Sequence, residues 1–122
     1  MRKEPFFIEN SKVPVILSKF APIEISAITL GIFVFSRGVL PESTKRHETI
    51  HYLQYLETWF IGFLLIYVFD FLWCAIVKGK GFTRESYLSI RFEQEAHHRD
   101  EEVDYLSRRK KFAWRNYPLG GK

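Results

Sequence analysis

Apolar and polar residues change rhythm several times along the chain, and each change marks an element. The arm, residues 1–22, holds three prolines among short apolar pieces, the pattern of an irregular or partly extended segment. Residues 23–38, IEISAITLGIFVFSRG, are rich in Ile, Val, Phe and Thr. Their alternation is imperfect, their apolar core is too short to cross a bilayer, and Gly31 interrupts them. They predict two strands, 23–30 and 32–36, meeting at a bend or bulge near Gly31. Pro41, with Ser43 or Thr44 as N-cap, then predicts a helix to about residue 60, and apolar residues continue to Val77. KGKGF is a flexible break. A second helix is expected over 83–112, starting near Thr83, and the tail 113–122 ends loose at Pro118 and the glycines. No internal repeat is present. The expected fold class is α+β, mainly α, in a single domain over 1–122: a two-strand β-hairpin, a long helix over 43–77 that runs into a hydrophobic segment, and a second helix.

Composition narrows the partners. Hydrophobic residues make up 47% of the chain and aromatics 17%, which excludes disorder. The net charge of +4 sits mostly at the two ends, in MRK, SRRKKFAWR and GGK. Basic ends beside apolar aromatics suit anionic lipid head groups. No nucleic-acid motif is visible, so no nucleic-acid partner is expected. Cys74 is the single cysteine, which excludes an intramolecular disulfide and a four-cysteine zinc site. Glu9, Asn10, Ser11 and Lys12 interrupt the apolar residues near the N-terminus, so no signal peptide is expected and the cytoplasmic side is the default location.

The chemistry begins at HETIH. Positions i and i+4 share a helix face, so His47 and His51 can aim both imidazoles at one ion. Glu48, about 100° round the helix, can lie beside a water on that ion without ligating it. Two neutral nitrogen ligands, a carboxylate base and an open position are what a hydrolytic Zn²⁺ site needs. The bland alternative is a solvated helix face with ordinary histidines. A third ligand is offered by RFEQEAHH, which carries Glu93 and Glu95 on the second helix.

HETIH followed by a downstream EQEAH resembles the gluzincin metallopeptidases. EQEAH is similar to the Glu-x-x-Ala-Asp segment of their membrane-bound quality-control and prenyl-protein-processing branches, and HETIHYLQ, ending at Gln54, resembles small bacterial relatives. AITLGIFVFSRG is similar to the edge hairpin that such enzymes place beside the metal. The resemblance covers residues 23–99. It implies zinc as cofactor, Glu93 as third ligand and His97 where the family has an Asp that orients a ligand histidine. His98 or Asp100 are alternatives for that orienting role, and Glu95 is the alternative ligand. It also implies a peptide or protein substrate and a donor for the oxyanion, for which Tyr87, Arg91, His98 and Tyr52 are candidates, with ordinary helix packing as their bland reading.

Residues 59–77, WFIGFLLIYVFDFLWCAIV, are long enough to span a bilayer. On one straight helix, however, His51 and Val77 lie about 39 Å apart, and Glu93 must return within sixteen residues. A straight span and a closed metal site are close to exclusive. The expectation is a bend near Gly62 or around Asp70, with the segment lying in the membrane interface or forming a shallow hairpin; the alternative is a buried central helix of a soluble protein. The sequence therefore reads as a small membrane-associated zinc metallopeptidase with Glu48 as general base. A structural metal clip and a metal-free helical membrane adaptor are the alternatives.

Overall fold

A computed structural model describes residues 4–20 and 25–121, so the first two residues of the expected 23–30 strand lie outside the described part. The chain is mainly helical with one small sheet. Strands β2 (Ala27–Leu30) and β3 (Phe33–Ser36) form the expected hairpin, antiparallel, with Leu30 opposite Phe33. Gly31, at φ +65°, makes the turn a tight two-residue one rather than a bulge, because it alone enters the left-handed region without a Cβ clash. The arm contributes what its prolines concealed: β1 (Phe6–Ile8) pairs parallel with β3, giving the order β1-β3-β2 and leaving β2 as an edge. Helix α1 (Val13–Ser18) follows, with Pro14 in its first turn, where a missing N–H costs nothing.

Helix α2 (Glu42–Glu57) starts before the expected cap residues, at an extended Pro41. It packs along β2 and against α5 (Arg91–Arg99), which carries Glu93. The hydrophobic helix α3 (Ile61–Leu72) leaves α2 at 111° and ends in a π-helical turn, Trp73–Val77. The bend lies at Thr58–Phe60, just ahead of Gly62, and not at Asp70. Trp59 and Phe60 both sit at positive φ, near +60°, a strained conformation for bulky side chains. Contacts of Phe60 with Tyr55 hold it in place: the Phe60 N–H donates to the Tyr55 carbonyl at 2.9 Å and the two rings lie 6.0 Å apart. Gly62 has no Cβ because one would meet Thr58 Cβ at 3.2 Å. Among the described residues no single helix is long and apolar enough to cross a membrane.

The expected helix over 83–112 is divided. It forms α4 (Arg84–Leu88), α5, and α6 (Tyr105–Arg108), followed by a 3₁₀ turn at Ala113–Asn116. Thr83 caps α4 by accepting the Ser86 N–H. The break before α5 has a tertiary cause. Asp70, fully buried on α3, accepts the Arg91 backbone N–H at 3.0 Å and both ends of its guanidinium at 2.9 Å. The carboxylate thus satisfies an orphan donor at the α5 N-terminus and fixes where that helix begins.

The main core is aromatic. Tyr55 stacks on Phe63 at 3.8 Å, Phe63 on Phe92 at 4.5 Å, and Phe92 meets Trp114 edge-on at 4.8 Å. This column joins α2, α3, α5 and the tail, and Phe63 also touches the His51 ring at 6.0 Å. Ile50, Ala96 and Tyr105 form a smaller cluster on the other side of α2.

Candidate metal centre

The helical spacing of α2 brings His47, Glu48 and His51 together in buried positions, as their i, i+4 pattern predicts. Each imidazole is pinned through Nδ1. His47 Nδ1 is 3.0 Å from Asp100 Oδ2, and His51 Nδ1 is 2.8 Å from Gln54 Oε1. In the neutral ring, an Nδ1–H donated to these acceptors leaves Nε2 with a bare lone pair. Glu93, in the first turn of α5, brings Oε1 to 3.2 Å from His51 Nε2, 3.5 Å from His47 Nε2 and 3.4 Å from His97 Nε2. A tetrahedral ion with ligand bonds of about 2.0–2.2 Å has ligand–ligand edges of about 3.3–3.6 Å. The observed separations match those edges. Ligand atoms of His47, Glu48 and His51, and of His47, Glu93 and His97, lie within 4.8 Å of one another, so the buried His/Glu cluster could hold a metal ion.

Glu48 lies beside the His47 ring and is held from the sheet side. The Thr29 hydroxyl on β2 donates to its Oε1 at 2.9 Å, while Oε2 stays 3.7 Å from His47 Nε2. Tyr67, one turn beyond Phe63 on α3, donates its hydroxyl to the second oxygen of Glu93 at 2.6 Å. The site is strongly polarised. Burial pulls His47 toward its neutral form, but the carboxylates of Asp100, Glu93 and Glu48 outweigh it and raise its pKa to about 10. His51 is raised in the same way, against burial, chiefly by Glu93. Burial pushes Glu93 up, yet His51, His47 and His97 hold it well below the usual carboxylate range. Tyr67 and Tyr87 are both raised, by burial first and the Glu93 charge second, so their phenols stay protonated.

A groove of about 930 Å³ runs over this cluster, lined by β2, α2 and α3. Tyr87 and His97 line it; Arg91, His98 and Tyr52 do not. Arg91 is committed to Asp70 and lies over the Trp114 ring, His98 sits edge-on to Tyr117, and Tyr52 is fully buried. Glu95, the alternative ligand, faces away from the histidines. Its carboxylate accepts from Gln54, Tyr105 and Arg109. Asp100, and not His97, meets the ring N–H of His47. Three contributors escaped the sequence reading: Thr29, Tyr67 and the anchoring role of Gln54. Only Gln54 left a signal, since three residues from His51 it shares that helix face.

No family model, no curated protein and no solved structure matches this chain. The case for a function therefore rests on the geometry of the cluster and the groove.

Proposed function

We propose that the protein is a zinc-dependent hydrolase of the gluzincin kind that cleaves peptide bonds. The observation that carries this reading is that Glu93 Oε1 approaches both His47 Nε2, at 3.5 Å, and His51 Nε2, at 3.2 Å, close to tetrahedral-edge distances, with both Nδ1 atoms pinned and a second carboxylate alongside. Two imidazoles and a carboxylate suit Zn²⁺, which when bound supplies a Lewis acid toward water and a carbonyl oxygen. His47, His51 and Glu93 would hold it. Glu48 takes a proton from the attacking water and passes it to the leaving amine as the C–N bond breaks. Thr29 fixes the Glu48 carboxylate for that transfer. Tyr87, protonated and lining the groove, is the candidate donor to the oxyanion once its hydroxyl turns from Glu93, whereas the Tyr67 hydroxyl is committed to Glu93.

The edge strand supplies the case for a peptide. Ser26 pairs with Arg37 across the hairpin, so by alternation Ala27 and Thr29 turn their backbone groups to the free side. The Thr29 carbonyl is already taken by the Tyr55 hydroxyl at 3.1 Å. Ala27 and the Thr29 N–H are left to pair with an extended chain in the groove. Metal analysis and Glu48→Gln test the reading. The variant should keep one zinc per chain and lose about 10²- to 10⁴-fold in peptide turnover. Zinc-free purified protein, or undiminished hydrolysis by Glu48→Gln, would refute it.

His97 favours a second reading. Its Nε2 lies 3.4 Å from Glu93 Oε1, close enough to complete a four-protein-ligand set and close the site as a structural clip. Its side chain is 35% exposed, unlike the buried pair, which suits a residue that swings aside for substrate. In the hydrolase reading His97→Ala retains its zinc; in the clip reading it loses it.

A further inference from the structure

We propose that the outer face of α3, with the loop that follows it, docks on the surface of an anionic lipid bilayer. Ile61, Leu65, Val68, Phe69, Leu72 and Ile76 recur at three- and four-residue spacing and form one continuous stripe turned away from the core. Ile61, Leu65 and Ile76 are each 66–70% exposed, far more than a packed helix face allows. Trp59, 87% exposed, stands at one end of the stripe. At the other end Val77 and Phe82 are exposed among the cations Lys78, Lys80 and Arg84. An apolar helix face of about 25 Å, ending in a tryptophan on one side and cations on the other, has the chemistry of an interface-lying helix.

Charge decides between lipid and a second copy of the chain. A copy laid antiparallel would set the basic end against the Trp59 end. The neighbouring carboxylate there, Glu57, is already held by both ends of the Arg109 guanidinium. A parallel copy would set cations against cations. On the basic loop itself Glu85 neutralises Lys80 across 3.4 Å, while Lys78 and Arg84 have no acidic partner within ion-pair distance among the described residues. Their complement is an anionic head group. Leu64, Val68 and Leu72 also line the groove over the His/Glu cluster, so docking sets the mouth of that groove at the boundary between lipid and water. The docking itself needs no metal and stands whether or not the hydrolase reading does.

Co-sedimentation with vesicles tests it, using phosphatidylcholine alone and phosphatidylcholine mixed with phosphatidylglycerol. Wild type should pellet with the mixed vesicles and less with the neutral ones, with a blue shift in emission that Trp59→Phe removes. Leu65→Asp with Ile76→Asp should stay in the supernatant with both, while keeping wild-type circular dichroism and solution mass. Lys78→Glu should lose about 30-fold on mixed vesicles, at about fivefold per unit of charge, and little on neutral ones. Wild type that ignores both vesicles overturns the proposal, as does a double variant that binds as wild type does. So does a wild-type dimer that the double variant splits and that shows no vesicle binding, which would assign the face to a second copy.

Discussion

At the scale of single residues a metal entering the His/Glu cluster would contest the same nitrogens with protons. The His47 pKa of about 10 lies above the ordinary 6.5, so in metal-free protein its pairing with the carboxylates adds stability that is complete below about pH 6.5. That contribution fades as pH rises through about 10. Metal must displace this proton, so zinc binding at pH 7 should release protons, detectable by calorimetry in buffers of different ionisation enthalpy. Binding heat that does not depend on the buffer would contradict the assignment. The Asp100 carboxylate orients the His47 ring, while its own carbonyl accepts from Arg46 and anchors the backbone independently. Asp100→Ala should therefore weaken zinc binding about 10- to 100-fold in chelator competition, with little change in fold. The grouping of His47, Glu48 and His51 was legible because i, i+4 spacing is a local property. Asp100 was one of several acceptors the sequence offered, and only the turn after α5 singles it out.

At the scale of elements the question is what places Glu93, since α5 is short and starts after a break. Asp70 does this by holding the Arg91 N–H and guanidinium, two residues before Glu93. Asp70→Ala should lower unfolding free energy by about 3 kcal/mol, the low end for a broken buried pair because Arg91 can reach water. It should also reduce zinc content, since the start of α5 is no longer fixed. Asp70→Asn, which keeps an acceptor for the N–H, should lose less of both. Urea denaturation and metal analysis of the two variants measure this, and equal zinc content in all three proteins would remove Asp70 from the positioning role. The sequence raised the right puzzle, an acid inside an apolar run, but suggested a bend as its answer. The partner lies 21 positions away across a reversal of the chain, and no periodicity encodes that. The same distance hides the break in α5, because RESYLSIRFEQEAHH reads as one uninterrupted helix. β1 escaped for a like reason: a three-residue strand acquires its identity only from the β3 edge it joins.

At the scale of the whole molecule, Arg109 ties the tail to both helices of the site. It is 3% exposed and spans Glu57, at the end of α2, and Glu95, within α5. Glu95 in turn accepts from Gln54 Nε2 at 3.0 Å, which leaves Gln54 Oε1 facing His51. A chain of buried polar contacts therefore runs from Arg109 to His51, and each link bears on the orientation of the next. Arg109→Met would leave two buried carboxylates without their cation, at a cost of about 3–5 kcal/mol. Arg109→Lys keeps the charge but cannot fork to both acids, so it should fall between the two in denaturant midpoint. If the contacts act as a chain, Arg109→Lys should also bind zinc more weakly than wild type while still fully folded, because Gln54 is free to turn its amide. Chelator competition on folded Arg109→Lys decides it: affinity equal to wild type would confine Arg109 to holding the tail, with no reach to His51.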